Sequence, residues 1–236
     1  MRLVRLTFPH YFHFGDDRDL VGDDLVRAEA WDALRTKTQG PFAIARDRAE
    51  LERAADGRPE IGERTREISE LLDRLNVRTL ASYGVGGAVV ELWLHRLSPE
   101  RRLRLTDYAP ETVERLRELF HEAEVVRHDL LTDAPLEADL HLFHRIDTEL
   151  TNAEWREVLG RFAQDTVLVV ATEIADASRI LREQLGRLRT RGLTRAGWLR
   201  NREAFEALWR PTHDAAPLRF NDLDGWLLEP RSKSPA

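Results

Sequence analysis

The stretch Ser82-Tyr83-Gly84-Val85-Gly86-Gly87-Ala88 lies between an apolar run and an apolar helix pattern. Glycines let a backbone approach a ligand closely, and the first turn of a following helix aims free N–H groups at it. The same glycines serve a tight strand-to-helix turn with nothing bound, so the turn alone is evenly balanced between the two. Asp107 lies 23 residues past Gly84. A carboxylate there can accept hydrogen bonds from both hydroxyls of a ribose, and charged acceptors make the stronger bonds. Asp129 and Leu130 add an acceptor for an exocyclic amine and an apolar side chain for a ring face. His144 either takes a proton from a reacting group or simply lines the pocket. Together these residues suit a nucleotide-like ligand.

The elements that must position them can be read from periodicity. Val77 to Ser82, Arg102 to Asp107, Glu124 to His128, Asp139 to His144 and the continuous run Thr166 to Thr172 read as strands, the last as a central one covered on both faces. Helices fall between them. Ala88 to Leu97 is apolar nearly all round, Pro110 opens the next, and Thr151 with Glu154 forms a capping box that Leu150 and Trp155 staple. Asp176 caps a further helix with Ile180, Leu181, Leu185 and Leu188 facing inward, and Arg202 to Trp209 is a short one. Leu218 to Phe220 and Trp226 to Glu229 read as a closing antiparallel hairpin. Upstream, Leu3 to Phe8 alternates weakly. Helices are expected at about 23–36, 45–55 and 64–75, the last capped by Asn76. The pattern predicts an α/β domain with a mainly parallel sheet, each candidate residue at the C-terminal end of a strand, where such sheets bind ligands.

In these residues, over about 64–230, the chain resembles the class I S-adenosylmethionine-dependent methyltransferases. The resemblance implies a Rossmann-like fold, with a seven-stranded sheet, helices on both faces and an antiparallel C-terminal hairpin. It implies S-adenosylmethionine as cofactor, with Gly84 and Gly86 at its methionine part, Asp107 and the adjacent Tyr108 at the ribose, and Asp129 with Leu130 at the adenine. Ser82 belongs to the same set. The family usually carries an acid at its position, and a serine offers no charge to the cofactor's ammonium group. Ala88 stands where the family often has a third glycine. Methyl transfer from a sulfonium is an in-line displacement that depends largely on positioning. His144 is the expected general base. Residues 1–63 are expected to form a helical extension or lid, in which His10, Tyr11 and His13 either cover the acceptor or simply pack, and 231–236 a disordered tail. A nicotinamide-binding Rossmann domain fits less well, because its fingerprint puts Val89 at a position needing a small residue.

Composition narrows the function. A formal net charge of −6 argues against a nucleic-acid surface, and the chain lacks an N/D-P-P-Y-type motif after the fourth strand, where it reads His144-Arg145-Ile146-Asp147. A small-molecule acceptor is therefore expected. No apolar run reaches the roughly 20 residues that span a bilayer, the N-terminus does not read as a secretory leader, and cysteine is absent, so a cytoplasmic protein is the expectation. A homo-oligomer is compatible with everything above. His141 and His144 point to opposite faces of a strand and cannot share an ion, so no metal is expected. Arg145, Asp147 and Glu149 read as a solvated charge run. The alternative function is a methyltransferase-like protein without turnover that acts as a binding or assembly partner.

Overall fold

The computed structural model describes residues 4–12, 27–37, 42–189 and 194–231. Thr7–Phe12 forms β1; the helices Ala28–Arg35 (α1), Arg48–Asp56 (α2) and Pro59–Arg74 (α3) follow. The alternating part runs through β2 (Thr79–Tyr83), α4 (Val89–Leu97), β3 (Arg102–Asp107), α5 (Pro110–Leu119), β4 (Glu124–Arg127), β5 (Leu140–His144), α6 (Asn152–Arg161) and β6 (Val167–Val170). The chain then forms α7 (Ala177–Arg189), β7 (Thr194–Arg200), α8 (Arg202–Glu206), β8 (His213–Phe220) and β9 (Leu223–Pro230).

Seven strands form the central sheet in the order β4-β3-β2-β5-β6-β9-β8. The first five are parallel; β9 is antiparallel to β6 and to β8. Both the parallel sheet and the closing hairpin predicted from the sequence are present. Alternate side chains of each strand enter different layers. Leu80, Leu103, Leu105, Leu142 and Leu168 pack with Ile68, Leu72, Leu92 and Leu116 of the helices on one face. Ala81, Tyr83, Phe143, Val167 and Val169 pack with Trp155, Leu159, Phe162 and Trp209 on the other.

Local signals set several boundaries. Asn76 takes φ +55 just past α3, the left-handed conformation expected of an asparagine cap. Pro59 stands at the first turn of α3, so that helix begins five residues before the predicted Arg64, and a boundary at residue 63 falls inside it. The capping box on α6 is complete: Thr151 Oγ1 accepts from Glu154 N and Glu154 Oε2 accepts from Thr151 N. Thr151→Ala is expected to lower stability by about 1 kcal/mol in urea denaturation, the usual cost of an N-cap hydroxyl; no shift in midpoint would show that the cap is dispensable.

One expectation is corrected. Leu181 and Leu185 of α7 are exposed, at 59% and 47%, and only Ile180 of that face is buried; the side chain of Leu188, like His13 and the tail beyond Arg231, lies outside the described residues. Near the start of the chain, where Leu3 to Phe8 reads as a short strand or an extended arm, β1 pairs antiparallel with β7 in a separate two-stranded sheet. That sheet is pinned to the loop after β5. Trp198 N donates to Thr148 O at 2.7 Å, and the buried Arg200 donates to the carbonyls of Asp147 and Leu150 and to Asn152 Oδ1. Gly197 is required there, since at φ +154 a Cβ would sit 2.1 Å from Thr148 O.

Candidate cofactor and acceptor site

The C-terminal ends of β2, β3, β4 and β5 converge at one edge of the sheet. The glycine turn leaves β2 with Gly84 at φ +64 and Gly86 at φ +52. A Cβ on Gly84 would meet Ile146 Cγ2 at 2.8 Å, so the turn can lie this close to the β5 loop only with glycine. Ala88 also takes a left-handed conformation, φ +52, where the family often has glycine. Val85 N donates to Thr106 O and Gly86 N to Asp107 Oδ2, which ties the turn to β3.

Two cavities open around this turn. One, of about 440 Å³, is lined by the turn, Glu91, His144, Thr148, Thr172, His10, Trp31 and Phe42. The other, of about 400 Å³, is lined by Asp107, Tyr108, His128, Asp129, Leu130 and Ile146. Arg35, Gly84 and Glu149 line both. Of the residues singled out in the sequence, Tyr108, Asp107, Asp129 and Leu130 thus share the second cavity, His144 and Gly86 the first, and Gly84 both. Burial among acidic neighbours pushes the Tyr108 phenol above its usual range. Ser82 lines neither cavity: its Oγ donates to Glu91 Oε1 at 2.6 Å, and both residues are buried.

Asp107 is only 1% exposed and is already well partnered. Its Oδ2 accepts from Arg35 Nη1 at 2.8 Å and from Gly86 N at 3.2 Å, and its Oδ1 accepts from Ala109 N at 3.1 Å. A carboxylate has about four acceptor sites, so these three donors already take up most of its capacity. Arg35 comes from α1, which Asp32 clamps to the start of α5 by accepting from Glu111 N, Thr112 N and Thr112 Oγ1. The guanidinium lies 4.9 Å from the ring centroid of Trp31.

The electrostatics single out three more groups. His144 is half-buried, its Nε2 has no hydrogen-bond partner among the described residues, and burial with the nearby cations Arg145 and Arg64 lowers its pKa to about 3. Burial raises Glu91 to about 7 against the Ser82 hydrogen bond. Burial also raises Glu149 to about 7, with Arg35 opposing the shift and Asp107 adding to it. The reading of Arg145, Asp147 and Glu149 as a solvated run therefore fails for the two acids. Asp147 is buried, accepting from Thr172 N, and Glu149 lines the crevice. His141 packs on the opposite face against Tyr83 and Phe162, as the strand period requires. His10 does reach the first cavity, and its Nδ1 lies 3.2 Å from Glu183 Oε1.

Arg35 and Glu91 were not foreseen, and from sequence Glu149 reads as part of a solvated charge run. Glu91 had a signal, since it is an acid inside the apolar stretch Val89-Val90-Glu91-Leu92-Trp93-Leu94. Nothing local marked Arg35.

No protein-family model and no curated protein matches the sequence. Among solved structures the chain is similar to human N-acetylserotonin methyltransferase in complex with SAM, at TM-score 0.59 and 18% identity, covering 77% of this chain and 55% of that one. It is similar to TnmH at TM-score 0.60 and 18% identity, covering 86% of this chain and 57% of that one. The mitomycin 7-O-methyltransferase MmcR aligns at TM-score 0.58 and 18% identity, with 73% and 53% covered. The chain thus spans little more than half the length of these neighbours. With this strand order and its terminal antiparallel hairpin, the chain has the class I S-adenosylmethionine-dependent methyltransferase fold.

Proposed function

We propose that the chain binds S-adenosylmethionine across the two cavities that share Arg35, Gly84 and Glu149, and directs its methyl group to a hydroxyl of a small, largely apolar molecule. The observation that carries this reading is His144, which lines the cavity that the glycine turn also lines and whose Nε2 has no hydrogen-bond partner among the described residues. The described residues suit the cofactor. Leu130 and Ile146 offer apolar contact for a base, Asp129 an acceptor for its amine, Asp107 a remaining acceptor for one ribose hydroxyl, and Gly84 and Gly86 a backbone without side chains. When bound, the cofactor supplies an electrophilic methyl on a sulfonium. His144 can accept the proton that the acceptor hydroxyl gives up, and Trp31 and Phe42, edge to face at 5.4 Å, form an apolar wall for the acceptor. The net charge of −6 favours a small acceptor over a polyanion. Similarity to neighbours named as O-methyltransferases supports oxygen as the methylated atom.

Titration calorimetry with S-adenosylhomocysteine tests the reading. One site per chain with a dissociation constant in the micromolar range is expected. No heat at millimolar ligand overturns it. Binding without methyl transfer to any of a panel of phenols and hydroxylated polycycles would favour the turnover-free alternative.

A further inference from the structure

Glu91 is costly where it stands. The residue is 3% exposed, on a helix that packs into the core, and among the described residues the side chain that hydrogen-bonds it is the neutral hydroxyl of Ser82. Among the described residues it has no basic partner. A carboxylate buried without a counter-charge is disfavoured by several kcal/mol. A purely structural partner for Ser82 would not need a charge, since a glutamine would accept the same bond. Glu91 also lines the glycine-turn cavity and is absent from the lining of the cavity that holds Asp129 and Leu130, while Gly84 lines both.

Resting on the proposed reading of that crevice, we infer that Glu91, oriented by Ser82, is the anionic seat for the ammonium group at the amino-acid end of the cofactor. The placement follows from polarity along the crevice. The base-like contacts lie in the second cavity, so the amino-acid end of a ligand threaded past Gly84 enters the first. Two acids that line this cavity carry no hydrogen-bonded basic partner among the described residues, Glu91 and Glu149; Glu149 sits beside Arg35 and Asp107, whereas Glu91 stands next to the turn itself. Burial that lifts the Glu91 carboxyl to about 7 leaves it partly protonated in the free protein, and a cation beside it restores the ionised form. The charge that Ser82 cannot offer is thus supplied one hydrogen bond away, from the helix instead of the strand.

The test compares two ligands on the full chain by calorimetry. S-adenosylhomocysteine carries the amino-acid end; 5′-methylthioadenosine keeps the nucleoside and the thioether but lacks that end. Glu91→Gln preserves shape and the acceptor for Ser82. It should weaken S-adenosylhomocysteine binding roughly 10- to 100-fold, the range for a hydrogen bond to a charged group, and leave methylthioadenosine within about twofold. Ser82→Ala, which keeps the carboxylate, should keep the preference for S-adenosylhomocysteine. Equal losses for both ligands in Glu91→Gln, or unchanged S-adenosylhomocysteine binding, overturn the inference and leave the cofactor reading standing. Loss of the preference in Ser82→Ala alone also overturns it. If the unsubstituted protein binds neither ligand, the reading of the whole crevice falls, and this inference with it.

Discussion

Replacing Asp107 with alanine is expected to cost the fold about 3–5 kcal/mol, the cost of removing one partner from a buried ion pair. Asp107 and Arg35 are 1% and 8% exposed, and their 2.8 Å contact is the link between α1 and the end of β3. Without the carboxylate, the guanidinium keeps, among the described residues, a 3.4 Å bond to Thr112 Oγ1, the face of Trp31 and the charge of nearby Glu149, while Gly86 N and Ala109 N lose their acceptor. An unsatisfied buried donor costs roughly 1–3 kcal/mol by itself, so the backbone losses and the orphaned charge act in the same direction. Removing the cation as well should recover part of the loss. In Arg35→Met/Asp107→Ala the apolar side chain fills the guanidinium's place, and the double variant should be more stable than Asp107→Ala alone. Urea denaturation of the four proteins closes the cycle. A single Asp107→Ala variant within about 1 kcal/mol of the parent would show that the pair does not hold α1. The same variant should also bind S-adenosylhomocysteine more weakly, because the acceptor proposed for the ribose goes with it.

How far the sequence reveals this arrangement depends on the distance over which each signal acts. Asn76, the Thr151–Glu154 box and Pro110 are local, so their residue types are enough to mark the caps found in the structure. The run Val167–Val170 announces a strand buried on both sides, and β5 and β9 do flank it. The ends of β2, β3 and β5 were legible for the same reason, and with them Gly84, Asp107 and His144. What the pattern hides comes from far along the chain. Asp147 looks solvated among charged neighbours until Arg200, 53 residues later, packs against its carbonyl. The partner of Asp107 lies 72 residues upstream, in a helix whose polar residues read as a solvent face. Strand β7 was not anticipated, because Gly197 interrupts its run and its pairing partner is the first strand of the chain. Leu181 and Leu185 fit the inward stripe of an amphipathic helix, yet they are exposed; periodicity reports a face, not what covers it.

His144→Gln is expected to reduce kcat for methyl transfer to a hydroxyl acceptor by about 10²- to 10⁴-fold, the span of general-base assistance. S-adenosylhomocysteine affinity should stay within about threefold, because His144 is absent from the wall that holds the nucleoside contacts. This split separates a base from a residue that merely shapes the cavity, which would disturb binding as well. The protonation state gives a second, independent readout. The folded pKa of about 3 lies below the usual histidine value of about 6.5, so protonation favours the unfolded chain. The stability that depends on a neutral His144 is therefore complete above pH 6.5 and is lost as pH falls from 6.5 towards 3. Glu91 and Glu149 act in the opposite sense: their pKa values of about 7 make stability fall as pH rises from about 4.5 to 7. The two trends overlap in the wild type and flatten its pH profile. Subtracting the unfolding free energy of His144→Gln from that of the wild type at each pH removes the carboxylate contribution, and the difference should shrink steadily as the pH falls from 6.5 to 4. A constant difference would mean that His144 titrates normally. An unchanged kcat would remove it from the chemistry and leave it a wall of the acceptor cavity.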